Sequence, residues 1–181
     1  MKKLASTLLT KEQFWAIIEN SNKGKYIEDE LNKLSCDEVL GYIHWWDYYH
    51  KQSYKQDLWA VAYIVLGGCS DDGFDYFRFW LITRGEAVYM NALQSADSLC
   101  NEFANLTGDE YPMWEEVSYI PQEVLENRFE IDFYEYEAEG QVEYENIPLP
   151  ELEFEWKEDD EDSMRKVCPN TFDKWWGNDK F

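Results

Sequence analysis

Asp57-Leu-Trp-Ala-Val-Ala-Tyr-Ile-Val-Leu-Gly67-Gly68-Cys-Ser-Asp-Asp-Gly-Phe-Asp-Tyr-Phe-Arg-Phe-Trp-Leu-Ile-Thr-Arg-Gly85 is the stretch on which the reading of this chain turns. Leu58, Trp59, Val61, Ala62, Ile64, Val65 and Leu66 surround one helix with apolar side chains, and Phe74, Phe77, Trp80 and Leu81 do the same for the next. A helix that is apolar all round is buried between neighbours. Gly67-Gly68 ends the first helix, and Ser70 or Asp71 opens the second. So short a turn brings the two helices back antiparallel as a buried hairpin. Counting outward from the turn sets Asp57 beside Trp80 to Arg84 and predicts an Asp57–Arg84 or Asp57–Arg78 ion pair. Asp75 lies three residues before Arg78 on the same helix and can pair with it.

Helices extend on either side of this hairpin. Thr10 caps a helix carrying Phe14, Trp15, Ile17 and Ile18, which Asn22-Lys23-Gly24 stops. A short helix from about Tyr26 to Leu34 follows. Ser35 with Glu38 forms a capping box for a helix bearing Val39, Leu40, Ile43, Trp46 and Tyr49 to about Lys51. Glu86 to Leu93 fits either an edge strand or a further helical turn, and Ser95 or Asp97 caps a helix to about Leu106. Phe129, Ile131 and Phe133 alternate with acids, Gly140 follows, and Val142 and Tyr144 alternate with Glu143 and Glu145, the period of a β-hairpin. Leu152, Phe154 and Trp156 continue this alternation. Trp175-Trp176 dock the end of the chain on the core. The fold class is mainly α: a multi-helix single domain around a buried antiparallel helical hairpin, with a small acidic β-hairpin in the C-terminal half. Residues 1–108 form the helical core, and 109–181 an acidic, aromatic-rich region packed on it.

The 181 residues suffice for one sizeable core. With 45% apolar residues, among them nine Trp and thirteen Tyr, the composition is that of a folding chain rather than a disordered one. No apolar run approaches a membrane span, and Thr10-Lys11-Glu12 interrupts the opening residues too early for a secretory leader. A cytoplasmic chain is expected. Cys36, Cys69, Cys100 and Cys168 form no Cys-x-x-Cys pair and read as free thiols.

The net charge of −22 is concentrated in one region. Between Asp109 and Asp162 there are 21 acids against Arg128 and Lys157, a balance of −19 that leaves −3 for all the rest. Such a surface repels nucleic acid and anionic lipid, whose affinity comes from Lys and Arg, and attracts a basic protein partner. Tyr134, Tyr136, Tyr144 and Trp156, interleaved with acids and followed by Glu158, Asp159 and Asp160, supply anchors and steering charge for such a partner.

Catalytic signals are sparse. His44 and His50 lie six apart on one helix and do not share a face, and no nucleophile elbow or phosphate loop is present. Cys69 near a helix start is the one candidate nucleophile. Asp71 and Asp72 are explained by the helix N-terminus they occupy, and the arginines nearby would neutralise any metal-binding carboxylate set. No catalytic residue, metal or cofactor is assigned. The reading is a non-enzymatic acidic binding protein, of the kind an antitoxin-like immunity protein would be. The alternative is an enzyme or small-molecule sensor with a polar cleft built from Asp57, Asp71, Asp72, Asp75, Arg78 and Arg84.

Phe14-Trp15 with Ile18-Glu19, Asp57-Leu58-Trp59-Ala60, Gly67 through Phe74, Phe77-Arg78, Trp80-Leu81-Ile82, Arg84-Gly85 and Asp97-Ser98-Leu99 together resemble the bacterial domain-of-unknown-function family numbered forty-two forty. Glu155-Trp156, the acids to Asp162, Met164-Arg165 and Pro169 are similar to its closing segment. The stretch from about Arg128 to Pro150 departs from it. The resemblance implies a mostly helical bacterial domain and supplies no activity.

Overall fold

The computed structural model describes residues 3–178, 180 and 181. Met1 and Lys2, the first residues of the segment read against a secretory leader, lie outside them. The chain is mainly helical. Helix α1 (Lys11–Asn20) opens on a complete capping box: Gln13 N donates to Thr10 Oγ1 at 3.2 Å, and Thr10 N donates to Gln13 Oε1 at 2.9 Å. Asn22 and Lys23, both with positive φ, and Gly24 turn the chain into the short α2 (Ile27–Leu31). The second capping box, Ser35 with Glu38, opens α3 (Cys36–Gln52). Helix α3 is buried without a break from Val39 to Trp46. Gly41 makes this closeness possible, since a Cβ there would lie 2.6 Å from Leu9 Cβ and 2.7 Å from Leu9 N.

Helix α4 (Gln56–Leu66) ends at Gly67, whose φ of 65° is the left-handed turn that closes a helix. Ser70 caps α5 (Asp71–Thr83), its hydroxyl accepting from Gly73 N. Phe74, Phe77, Trp80, Leu81 and Ile82 of α5 are buried. The register is not the one counted from the turn. The Trp59 ring stacks on Phe74 at 4.7 Å, and its indole N–H donates to Cys69 O at 3.0 Å. One face of α4, Trp59, Tyr63 and Leu66, is only half-buried and is covered by the C-terminal segment, with Trp156 and Trp176 against Tyr63.

Gly85 leads into α6 (Glu86–Gln94), so the ambiguous stretch is helical. The expected helix to Leu106 is instead two short 3-10 segments, Ala96–Asn101 and Phe103–Asn105. The cause is Asp97, which does not cap its own helix. Its carboxylate accepts from Asn170 N, Asn170 Nδ2 and Thr171 N at a distant helix start.

The expected acidic β-hairpin is absent. Helix α7 (Ile120–Phe129) ends on Glu130 in the left-handed conformation, and Asp132 then caps α8 (Phe133–Ala138). The alternation of Phe129, Ile131 and Phe133 is therefore a helix end, a cap and a helix start. Among the described residues the only sheet joins β1 (Lys3–Leu4) to β2 (Val142–Glu143) in parallel, with Lys3 opposite Val142 and Leu4 opposite Glu143. Asp160 caps α9 (Glu161–Val167), and Pro169 opens α10 (Pro169–Trp175). Trp175 is buried and donates to Cys100 O at 2.8 Å, while Trp176 is half-buried on Tyr63. One contiguous set of buried side chains runs from Ala5 to Trp175.

Candidate functional site: an aromatic groove rimmed by carboxylates

The six residues read as one polar cleft are dispersed. Asp57 accepts from its own helix start at Leu58 N and faces Lys55 Nζ at 3.6 Å. It is held away from the arginines because the start of α4 is tied to the C-terminal segment: Trp156 Nε1 donates to Gln56 O, and Cys168 Sγ lies 3.7 Å from Asp57 O. Neither expected Asp57–Arg pair forms. Arg78 is instead buried on α5. It pairs with Asp75, donates from Nη1 to His50 O at 2.7 Å and from Nε to Phe74 O, and lies over the rings of Tyr54 and Phe74. Burial draws its pKa down, against the pull of Asp75. Asp71 and Asp72 are exposed in the first turn of α5. Arg84 lies over Trp80, in a different cavity. No three His, Cys, Asp or Glu side chains among the described residues converge as a metal site requires.

Asp71, Asp75 and Arg78 do share a recess of about 380 Å³ with Tyr54, His50 and Lys51. His50 and Lys51 also belong to a neighbouring groove of about 570 Å³, lined by aromatic and acidic side chains. Its floor follows from helical spacing. Ile43, Trp46, Asp47 and His50 recur at intervals of three and four and so share one face of α3. Phe79 of α5 slots between two of them: it stacks on Trp46 at 5.9 Å and on His50 at 4.3 Å, both pairs within 24° of parallel. The opposite wall comes from α8 and the chain after it, with Phe133, Tyr134, Glu137, Tyr144 and Glu145.

Two enclosed polar atoms of lining residues lack a hydrogen-bond partner, Trp46 Nε1 and His50 Nε2, and so does His44 Nε2 outside the lining. Orphans of this kind are rare in folded proteins. Burial, then Arg78 and Lys51, push the His50 imidazole down to about 3, so it is neutral at pH 7, with Nε2 3.6 Å from Asp75 Oδ1. His44, 2% exposed and 4.0 Å from Glu145, is also drawn down by burial. Three carboxylates, Asp47, Glu137 and Glu145, surround the groove against one cation, and that cation, Lys51, is paired with Asp47 at 2.8 Å.

The residues expected to grip a partner divide along the same line. Tyr134 is 71% exposed at the rim. Tyr144 lines the groove half-buried and donates to Leu40 O at 3.2 Å, its phenol pushed well up by burial. Tyr136 is half-buried outside the groove. Trp156 is buried with its N–H held by Gln56 O, so it is a core residue and not an anchor. Glu158 and Asp159 are exposed, and Asp160 serves as the cap of α9, accepting from Ser163 N. None of these three lines the groove. Burial and then Asp71 push the Cys69 thiol up to about 12, against the thiolate that a nucleophilic role would need. Sequence reasoning missed Trp46, His50 and Phe79 as a set. The interval of four between Trp46 and His50 was legible, but nothing local announces that Phe79 of another helix enters between them.

The family described as Protein of unknown function (DUF4240) matches residues 9–127. The chain belongs to this family. The DUF4240 match includes Trp46, His50, Arg78 and Phe79, and ends before α8, so one wall of the groove lies in the family region and the other outside it. The closing segment around Trp156 likewise lies beyond the matched residues. No curated protein and no solved structure matches the chain.

Proposed function

We propose that the chain is a non-enzymatic binding protein that grips a basic partner protein, in the manner of an antitoxin-like immunity protein, and that an arginine or lysine side chain of the partner enters the groove between α3 and α8. The carrying observation is the juxtaposition of the Trp46–Phe79–His50 stack with Asp47, Glu137 and Glu145. Aromatic faces attract a cation, carboxylates orient it, and the partial exclusion of water strengthens both effects. The wider acidity of residues 109–162 raises the encounter rate at low salt. In this reading the α4–α5 hairpin is scaffold. The rival reading, a polar cleft for chemistry or sensing, is weakened by the way Arg78 and Asp75 satisfy each other.

Fluorescence anisotropy with hexa-arginine and hexa-lysine peptides tests the groove directly. Binding should weaken about tenfold in a Glu137→Gln/Glu145→Gln variant and fall steeply between about 50 mM and about 500 mM salt. Equal affinity of the variant and the native chain would reject the groove as the gripping site.

A further inference from the structure

A second cavity, also of about 570 Å³, opens where the turn after α1 meets the end of α5, and its chemistry is opposite in sign to the rest of the molecule. Arg84 is 9% exposed and lies over the Trp80 ring. Its Nη2 donates to Lys23 O at 2.9 Å and to Thr83 Oγ1 at 2.8 Å, and Nε donates weakly to the same hydroxyl at 3.3 Å. Nη1 donates to nothing among the described residues and is not among the sealed polar atoms, so it retains access to the cavity. Arg78, 2% exposed, provides the contrast: it has Asp75 as a counter-ion, whereas no carboxylate oxygen lies within ion-pair reach of Arg84 among the described residues. A buried guanidinium without a paired carboxylate is costly, and a bound anion would offset that cost. Burial lowers the pKa of Arg84 to about 10, against the longer-range pull of Glu110 and Glu102, neither of which reaches ion-pair distance.

Lys23 and Lys25 line the same cavity, exposed and without an ion pair among the described residues. The one acid there, Glu110, is occupied at Thr107, accepting from its N at 2.7 Å and its hydroxyl at 3.2 Å. Three cations against one committed carboxylate leave a local positive excess in a chain of net charge −22. Apart from Asn22 the remaining lining is apolar and aromatic, with Leu106, Met113, Trp114 and Tyr111 beside Trp80. We propose that this cavity binds a small organic oxyanion, a carboxylate or phosphate carried on a flat apolar body. Arg84 Nη1 and the two lysines hold the charge, and Trp114 and Tyr111 cover the body. The overall negative charge excludes a polyanion and admits a small one.

Isothermal titration with inorganic phosphate, benzoate and adenosine monophosphate tests this site and separates the two headgroups. Benzoate or the nucleotide should bind and shift the Trp114 indole N–H resonance, with inorganic phosphate weaker because it lacks a ring. Arg84→Gln should weaken the bound probe about tenfold or more with unchanged circular dichroism. Should that variant fail to fold, exposed Lys25→Glu serves in its place, and is expected to weaken binding several-fold. The Glu137→Gln/Glu145→Gln variant should bind the probe as the native chain does. No binding by any probe at millimolar concentration, or binding that neither variant weakens, would overturn the assignment.

Discussion

His50 shows how one side chain acquires a property its sequence position does not announce. The ring stacks on Phe79, its carbonyl accepts from Arg78, and burial with two neighbouring cations keeps the imidazole neutral. In the folded chain it takes up a proton only near pH 3, against about 6.5 when unfolded. Between those values the unfolded state binds more protons, so His50 stabilises the fold fully above pH 6.5 and loses that contribution as pH falls through the window, by up to about 1.4 kcal/mol per unit. Nitrogen-15 NMR of the imidazole should find it neutral at pH 5.5, where an unperturbed histidine is mostly charged; a protonated ring there would contradict the packing. From the sequence alone His50 was only a residue not sharing a face with His44. Its role depends on Phe79 and Arg78 arriving from another helix, a long-range fact that no local pattern encodes.

Helix boundaries were the most legible feature, because capping is local chemistry. Thr10 with Gln13, Ser35 with Glu38, Ser70 with Gly73 and Gly67 after α4 all stand where side-chain oxygens and a left-handed glycine place them. The failures are equally physical. Asp97 looked like a cap and instead serves α10, and the alternation around Ile131 came from a cap lying between two helices. Gly41 was passed over, though α3 rests on it. Replacing it with Ala would gain about 1 kcal/mol of helix propensity but push Leu9 away from α3, straining the bond from Trp45 Nε1 to Leu9 O at 2.8 Å. Overpacking of this kind costs about 1–3 kcal/mol, so Gly41→Ala should lower the midpoint of denaturant unfolding; an equal or higher midpoint would show that Leu9 yields freely.

Across the whole molecule, the matched family region carries most of the core but does not complete it alone. Val142, Trp156, Met164, Cys168, Phe172 and Trp175 are buried against it from beyond residue 127. A fragment of residues 1–127 should therefore expose the Tyr63 face of α4 and the ring of Phe103, bind a hydrophobic dye and unfold without a sharp transition. A sharp calorimetric transition in the fragment would show that the later segment only decorates a finished core. Charge at this scale was plain from the composition, whereas the cationic cavity at Arg84 was hidden because its members are scattered from Lys23 to Trp114. The two-residue ladder of β1 with β2 has a consequence in time. Its partners stand about 140 residues apart, so the clasp cannot form until Val142 has left the ribosome, a matter of several seconds at ordinary rates of synthesis. The wall bearing Tyr144 and Glu145 directly follows that clasp, so a nascent chain lacks this side of the groove until those residues have emerged.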